Sequence, residues 1–317
     1  MSASLARLFE ELRPAAFAIA YRMLGSVSEA EDVVQEAFLR MHRTEQGEGR
    51  IASPRAYIAT LVTRLSIDQL RSARVRRERY VGEWLPEPVV TDPSPAEHAE
   101  TADSLSLAFL VLLESLSPQQ RAAFLLREVF DYPYPEVAEI IGTDVDGARH
   151  LVARARAHVE ERRPRYHASR RQRRELAERF FAAAECGDLQ ALEALLTEDV
   201  ALHADGGGKV PAVARPVNGR ERVARLLSTG LALLPGYGVR IEVTEVNGQP
   251  GALALDAEDR LVGVIALEVA EGRVQSVHAV VNPDKLQHFD RVGDLVALTR
   301  AARRRRPGTG ETPGRPS

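Results

Sequence analysis

Apolar residues recur at helical spacing through the first eighty positions and again between about 102 and 162. After position 200 they fall into short, strand-like runs instead. Leu5, Leu8, Phe9 and Leu12 open a first helix, in which Pro14 permits a break. Ser28-x-x-Glu31 reads as a capping box starting a second helix, with Val33, Val34, Ala37, Phe38 and Met41 as its inward stripe. A third helix, about 54–71, turns Ile58, Leu61, Leu65 and Leu70 inward.

The pattern predicts a second helical group around Ser117, an N-cap followed by Pro118 and by Gln120 as the capping-box partner. That helix is expected to run to about Phe130, where Asp131-Tyr132-Pro133 breaks it. A short helix over Glu136–Ile141 ends at Gly142, which supplies a left-handed residue. The next helix buries Val145, Ala148, Val152 and Ala155 and leaves Arg149, His150, Arg154 and Arg156 outward. Short helix, glycine and basic helix in this order form a helix-turn-helix pattern able to read guanine edges and contact phosphates. Trp84-Leu85-Pro86-Glu87-Pro88 and Asp92-Pro93-Ser94-Pro95 interrupt the helices with extended X-Pro backbone, so 81–104 reads as a linker.

An Arg-rich connection, 162–174, leads to a third region. There a helix through Phe180, Phe181 and Ala184 precedes strands at Val200–His203, Val239–Val246, Ala252–Leu255, Leu261–Val269 and Arg273–Val281. Helices followed by antiparallel-type strands predict an α+β domain. The expected division is two all-α modules at 1–80 and 105–162, an α+β domain at 172–290, and a disordered tail at 291–317.

Composition narrows the function classes. The apolar fraction, 44%, is ordinary for a globular chain of 317 residues. Ala15–Ala20 is bracketed by Arg13 and Arg22, too short for a span, so no membrane role is expected. The lone Cys186 excludes an internal disulfide, fits a reducing cytoplasmic setting, and reads as a small packed residue. Net charge is only −3, yet 144–174 holds ten Arg against four acids and 175–290 eighteen acids against ten Lys and Arg. That asymmetry suggests a polyanion-binding half beside one that mimics or competes with the polyanion.

Arg64, Arg71, Arg74, Arg76, Arg77 and Arg79 form a second basic run along the third helix and its exit, with Tyr57 or Tyr80 available for base stacking. On the second helix Asp32, Gln35, Glu36 and Leu39 share the outward face, an exposed leucine framed by acids and an amide that suits a basic protein surface. In the third region His203, Asp205 and His278 are candidate acid–base groups, which that chemistry would require to face one cavity, although solvated or structural histidines are the simpler reading. No Walker loop, dinucleotide fingerprint or Cys/His metal spacing occurs, so no cofactor or metal is expected.

Ser28–Phe38 resembles the core-polymerase-binding helix of extracytoplasmic-function sigma factors, Leu61–Arg71 their −10-reading helix and Leu116–Arg156 their −35-reading helix-turn-helix. The resemblance implies that Asp32, Gln35 and Glu36 contact the clamp of RNA polymerase. It implies also that Arg64 to Arg77 approach the melted −10 element and Arg149 to Arg156 the −35 duplex. Arg64 stands where many members carry Asn, a departure that bears on −10 preference. Three further segments resemble the motifs of the SigJ-type group. They are Trp84–Pro88, Asp205-Gly206-Gly207-Gly208-Lys209 and Asn282-Pro283-Asp284-Lys285-Leu286. Members of that group carry a SnoaL-like, NTF2-like cone thought to govern the sigma modules. The expected regulatory arrangement docks the linker, through Trp84, Pro86 and Pro88, on the Asp205–Lys209 loop, with Asn282–Leu286 nearby. By their composition alone those glycines also suit a flexible hairpin or an anion nest with Lys209 as counter-charge. The reading is a non-enzymatic sigma factor whose partners are core RNA polymerase and promoter DNA. Its alternatives are a single-component regulator with a ligand-binding cone and a SnoaL-like isomerase or hydrolase with a DNA-binding appendage.

Overall fold

The computed structural model describes residues 3–46, 51–77, 80–91, 104–160 and 169–305, without the side chains of 3–6, 73–77 and 305. Three helices open the chain: α1 (Ala3–Leu24), α2 (Val27–Gln46) and α3 (Pro54–Arg77). α1 runs through Pro14 without a break, because Pro14 lies on the exposed face, where a missing backbone bond is least costly. α2 starts at Val27 rather than at the expected Ser28 cap. The residue whose hydroxyl accepts from the first turn is Ser26, 3.2 Å from Glu29 N.

The second helical group comprises α4 (Leu107–Leu113), α5 (Pro118–Phe124), α6 (Tyr134–Ile141) and α7 (Val145–Glu160). Ser117 and Gln120 form the expected capping box on α5, which passes into a π-helical turn over Leu125–Val129. The expected restart near Ala102 lies outside the described residues; α4 begins after Ser106, whose hydroxyl accepts from Phe109 N. Both helical groups share one apolar core, from Ala16, Leu24 and Phe38 through Leu110, Leu125 and Val152. They pack as a single closed unit.

The third region is a six-stranded sheet with helices on one face. It contains α8 (Arg170–Glu185), α9 (Leu189–Leu195), β1 (Leu196–Asp205), β2 (Val217–Asn218) and α10 (Arg220–Gly230). Then follow β3 (Arg240–Val246), β4 (Gln249–Leu255), β5 (Leu261–Ala270), β6 (Arg273–Val280) and α11 (Leu295–Arg305). Part of the Arg-rich connection is helical, since Ser169 and Gln172 form a capping box on α8. The expected tail is likewise helical as far as Arg305, because Leu295 and Leu298 pack on Val239 and Val262. Residues 306–317 lie outside the description.

The strand order is β2-β1-β6-β5-β4-β3, and the expected antiparallel run is broken once: β1 lies parallel to β6, with His203 opposite His278. Parallel neighbours need a long connection, here α10 and the β3–β5 meander, a relationship that strand periodicity does not reveal. One sheet face, with Leu202, Ile265, Leu267 and Val277, packs on Phe180, Phe181 and Val223 of the helices. The opposite face, with Val264, Ala266 and Val280, is covered by Leu85 of the linker, Leu107 of α4, and Leu286. Leu85 and Leu107 are almost fully buried there, each worth roughly 1.5–3 kcal/mol of apolar burial. The linker is thus part of a core. Cys186 caps the end of α8 and is exposed, contrary to its reading as a packed residue.

Candidate functional site

α2 presents its predicted face. Asp32, Gln35 and Leu39 are exposed and Glu36 is partly so, with Glu36 Oε1 2.7 Å from Arg40 Nε. Leu39 is 44% exposed and with Gln35, Phe9, Phe17 and Phe38 lines a largely apolar groove of about 430 Å³. The start of this helix is held from a distance: the Glu87 carboxylate accepts from Val27 N at 2.7 Å, Ser26 Oγ at 2.8 Å and Ser28 N at 3.3 Å. An anion there complements the positive end of the helix dipole.

On α3, Arg64 is directed at the helix-turn-helix. Its Nε and Nη2 donate to the carbonyls of Ile140 and Glu139, at 2.9 and 2.8 Å, in the last turn of α6. A guanidinium at a helix C-terminus meets carbonyls that have no donor of their own, and the charge strengthens both bonds. Arg71 stays exposed beside Asp68. Arg74, Arg76 and Arg77 lie in the last turns of α3, but their side chains fall outside the described residues, as does Arg79 altogether. Tyr57 bonds Thr44 through its hydroxyl, and Tyr80 is taken up at the linker junction.

Gly142, at φ 75°, ends α6 and turns the chain into α7. Arg149, His150, Arg154 and Arg156 all lie on its exposed face. Arg149 pairs with Asp146 at 3.0 Å and lies over the Tyr134 ring, while Arg156 bonds both Glu128 carboxylate oxygens at 2.7 Å. The two helical modules are joined again by Arg121, whose Nη1 donates to Met23 O at 2.6 Å and Glu114 Oε1 at 2.8 Å. Burial pulls its guanidinium down to about 9, which leaves it charged at neutral pH.

The linker meets the third domain at Asp205, which is fully buried. Its Oδ1 accepts from Tyr80 OH at 2.6 Å and Gly207 N at 3.0 Å; its Oδ2 accepts from Leu85 N at 2.9 Å and Lys285 Nζ at 2.6 Å. Lys285 Nζ also donates to Leu85 O and lies 4.0 Å from the Trp84 ring centre and 5.0 Å from that of Tyr80. A buried ion pair is tolerable only when its remaining hydrogen-bond capacity is filled, as it is here. Asn282 donates to Tyr80 OH at 2.7 Å, and Lys209 pairs with Asp284 at 2.6 Å. Gly207, at φ 59°, has Asn282 so close that a Cβ would meet its side chain at 2.3 Å; one on Gly208 would meet Val81 at 3.0 Å. One on Gly206 would strike Val210 O. Pro86 packs by Gly25, Pro88 O lies 2.7 Å from His288 Nε2, and Pro283 opens the short helical turn that carries Lys285. All three predicted pentapeptides therefore meet in one place.

His203 and His278 stack at 4.8 Å on the linker-covered face of the sheet, opposite the face that packs on α8–α10. His203 Nδ1 lies 2.7 Å from Glu83 Oε1. Burial, then the neighbouring His203, pulls His278 down to about 3, so it stays neutral. These groups face the junction rather than the interior between sheet and helices. Among the described residues no His, Cys, Asp and Glu cluster suits a metal, and no helix is long and apolar enough to cross a membrane. Sequence reasoning missed Glu87, Glu83 and Arg121, and named Tyr80, as an alternative to Tyr57, only as available for base stacking, not as part of this junction. Glu83 and Glu87 flank or lie within the Trp84–Pro88 motif, the one signal that pointed to them.

Known families share this arrangement. Models of sigma-70 region 2, sigma-70 region 4 and the SnoaL-like domain match residues 8–76, 106–159 and 177–282. Together they define a sigma-70-type chain with a fused SnoaL-like domain. The ECF RNA polymerase sigma factor SigJ of Mycobacterium tuberculosis is 38% identical over 291 residues, 87% of this chain and 91% of its own length. The probable ECF RNA polymerase sigma factor SigI of the same species is 33% identical over 271 residues, covering 84% and 90%. The crystal structure of M. tuberculosis SigJ superposes with a TM-score of 0.70 at 36% identity, over 88% of this chain and 97% of that one. The chain belongs to the extracytoplasmic-function RNA polymerase sigma factors.

Proposed function

We propose that this sigma factor binds core RNA polymerase through the α2 face of Asp32, Gln35, Glu36 and Leu39 and directs initiation at promoters with −35 and −10 elements. Arg149, His150, Arg154 and Arg156 read or hold the −35 duplex, with Arg64, Arg71, Arg74, Arg76 and Arg77 addressing the melted −10 strand. The observation that carries this reading is the exposed Leu39 among polar neighbours on α2, in a chain that also holds a complete helix-turn-helix. Run-off transcription with purified core polymerase tests it. Specific initiation that disappears with Asp32→Ala plus Glu36→Ala is the expected result, and duplex binding without initiation is the opposing one.

The fused domain restrains the sigma modules in this reading. Elements centred near −35 and −10 lie on the order of 80 Å apart along B-DNA, at ~3.4 Å per base pair. Two modules that share one core and an Arg64 latch do not span that distance while packed together. Promoter engagement therefore requires opening, and the buried linker junction opposes it. Shortening the chain within 282–317 should alter promoter activity.

A further inference from the structure

The linker is gripped a second time, three strands away from Asp205, by a residue outside all three pentapeptides. Asn247 and Gly248, at φ 52° and 71°, form the tight turn between β3 and β4. The turn by itself asks only for a residue that tolerates left-handed backbone, which explains Asn, Asp or Gly at this position. It does not explain what the side chain does. Asn247 is fully buried, and its Nδ2 donates to Tyr21 OH of α1 at 2.8 Å and to Leu105 O, ahead of α4, at 2.9 Å. Its Oδ1 accepts from Val89 N at 2.9 Å, and its backbone N donates to Val89 O at 2.8 Å. One amide thus ties together a helix, the linker and the entry to the second module. Both of its donor hydrogens are used.

The linker continues from this grip along the end of β3 through a single β-bridge. Val90 pairs antiparallel with Val246, Thr91 N donates to Glu245 O at 3.0 Å, and Gly248 N donates to Thr91 Oγ1 at 3.0 Å. From Tyr21 the connection continues. Its buried hydroxyl donates to Glu87 O at 2.6 Å, and the Glu87 carboxylate holds the first amides of α2. Through Tyr21 and Glu87 the Asn247 turn reaches the start of the helix that carries Asp32, Gln35 and Glu36.

We propose that Asn247 is a positioning residue of the sigma activity: it pins the linker and α1 to the SnoaL-like domain and, through Tyr21 and Glu87, fixes the start of the polymerase-facing helix in the closed chain. This rests on the sigma reading, and goes beyond it by adding a site of restraint independent of the Asp205 junction. The diagnostic variant is Asn247→Gly, which keeps the left-handed turn and removes every side-chain bond. Tyr21→Phe removes only the hydroxyl.

Hydrogen exchange on the full-length protein, without polymerase, reads the pin directly. The amides of Val27 and Ser28 are expected to exchange roughly tenfold faster in Asn247→Gly, the scale of losing one net hydrogen bond. Tyr21→Phe on that background should add little, because the two changes break one network. In run-off assays at limiting core polymerase, Asn247→Gly should give more transcript than wild type. Unchanged exchange at Val27 and Ser28 overturns the pin. Faster exchange with unchanged transcription, from a wild type that does initiate, overturns its link to polymerase engagement. A wild type that never initiates defeats the sigma reading, while the exchange data still decide whether Asn247 pins the helix.

Discussion

Lys285 holds its ammonium 4.0 Å from the centre of the Trp84 ring while bonding the buried Asp205 carboxylate at 2.6 Å. One cation therefore joins the linker motif, the glycine-loop motif and its own. Removing one member of such a pair strands the other charge in the interior. Lys285→Met is expected to destabilise the folded chain by about 3–5 kcal/mol and Trp84→Ala by less. Urea unfolding of both, and of Lys285→Met with Asp205→Leu, checks this: the double variant should recover much of the loss, and additive losses would contradict the pairing.

Acid should loosen the same face of the sheet. His278 is neutral in the fold, its pKa pulled to about 3 by burial and then by His203. An ordinary His titrates near 6.5, so below that pH the unfolded chain binds a proton that the fold refuses, and stability falls as pH falls. The contribution is intact above about 6.5 and declines by about 1.4 kcal/mol per pH unit between there and 3. Unfolding midpoints from pH 7.5 to 5, compared with His278→Gln, measure it. The variant should show the shallower slope.

The Arg64 latch predicts a shift between closed and open chains. Two charge-assisted bonds to Glu139 O and Ile140 O are lost in Arg64→Ala, each worth roughly 1.5–3 kcal/mol at full strength and less at this exposed site. Energy transfer between dyes on α2 and α7 of the full chain should fall as the modules separate. If the efficiency is unmoved, Arg64 does not hold the modules together.

Gly207→Ala should damage the junction out of proportion to its size. It puts a methyl 2.3 Å from the Asn282 side chain at φ 59°, a cost of about 1–3 kcal/mol. Gly230→Ala is the control, having no positive φ and nothing within 4 Å. It should be neutral, or stabilise by about 0.4–1 kcal/mol through the unfolded chain. Thermal unfolding separates the two.

Local patterns in the chain led to most of the helices because each is set by near neighbours: Ser117 with Gln120 on α5, Gly142 between α6 and α7. The beginning of α2 was misread by two positions because part of its cap, Glu87, arrives from sixty residues downstream. The contact of Arg64 with the end of α6 was not legible, because nothing near it in sequence discloses that helix end. The three pentapeptides were legible through resemblance, and their meeting follows from β1 lying beside β6, a long-range pairing. Asn247 left one trace, its Asn-Gly turn, which explains the backbone and conceals the side chain's second task.

The bridge that Val89–Thr91 makes with the end of β3 has a cost for whatever frees it. β3 ends the sheet, and once the linker leaves, Glu245 O and the amides of Asn247 and Gly248 lose their partners and become available to another extended chain. Opening therefore leaves these groups at the sheet edge without protein partners until the linker returns. Reclosing restores those bonds in one step, so the sheet edge itself favours the return of the linker.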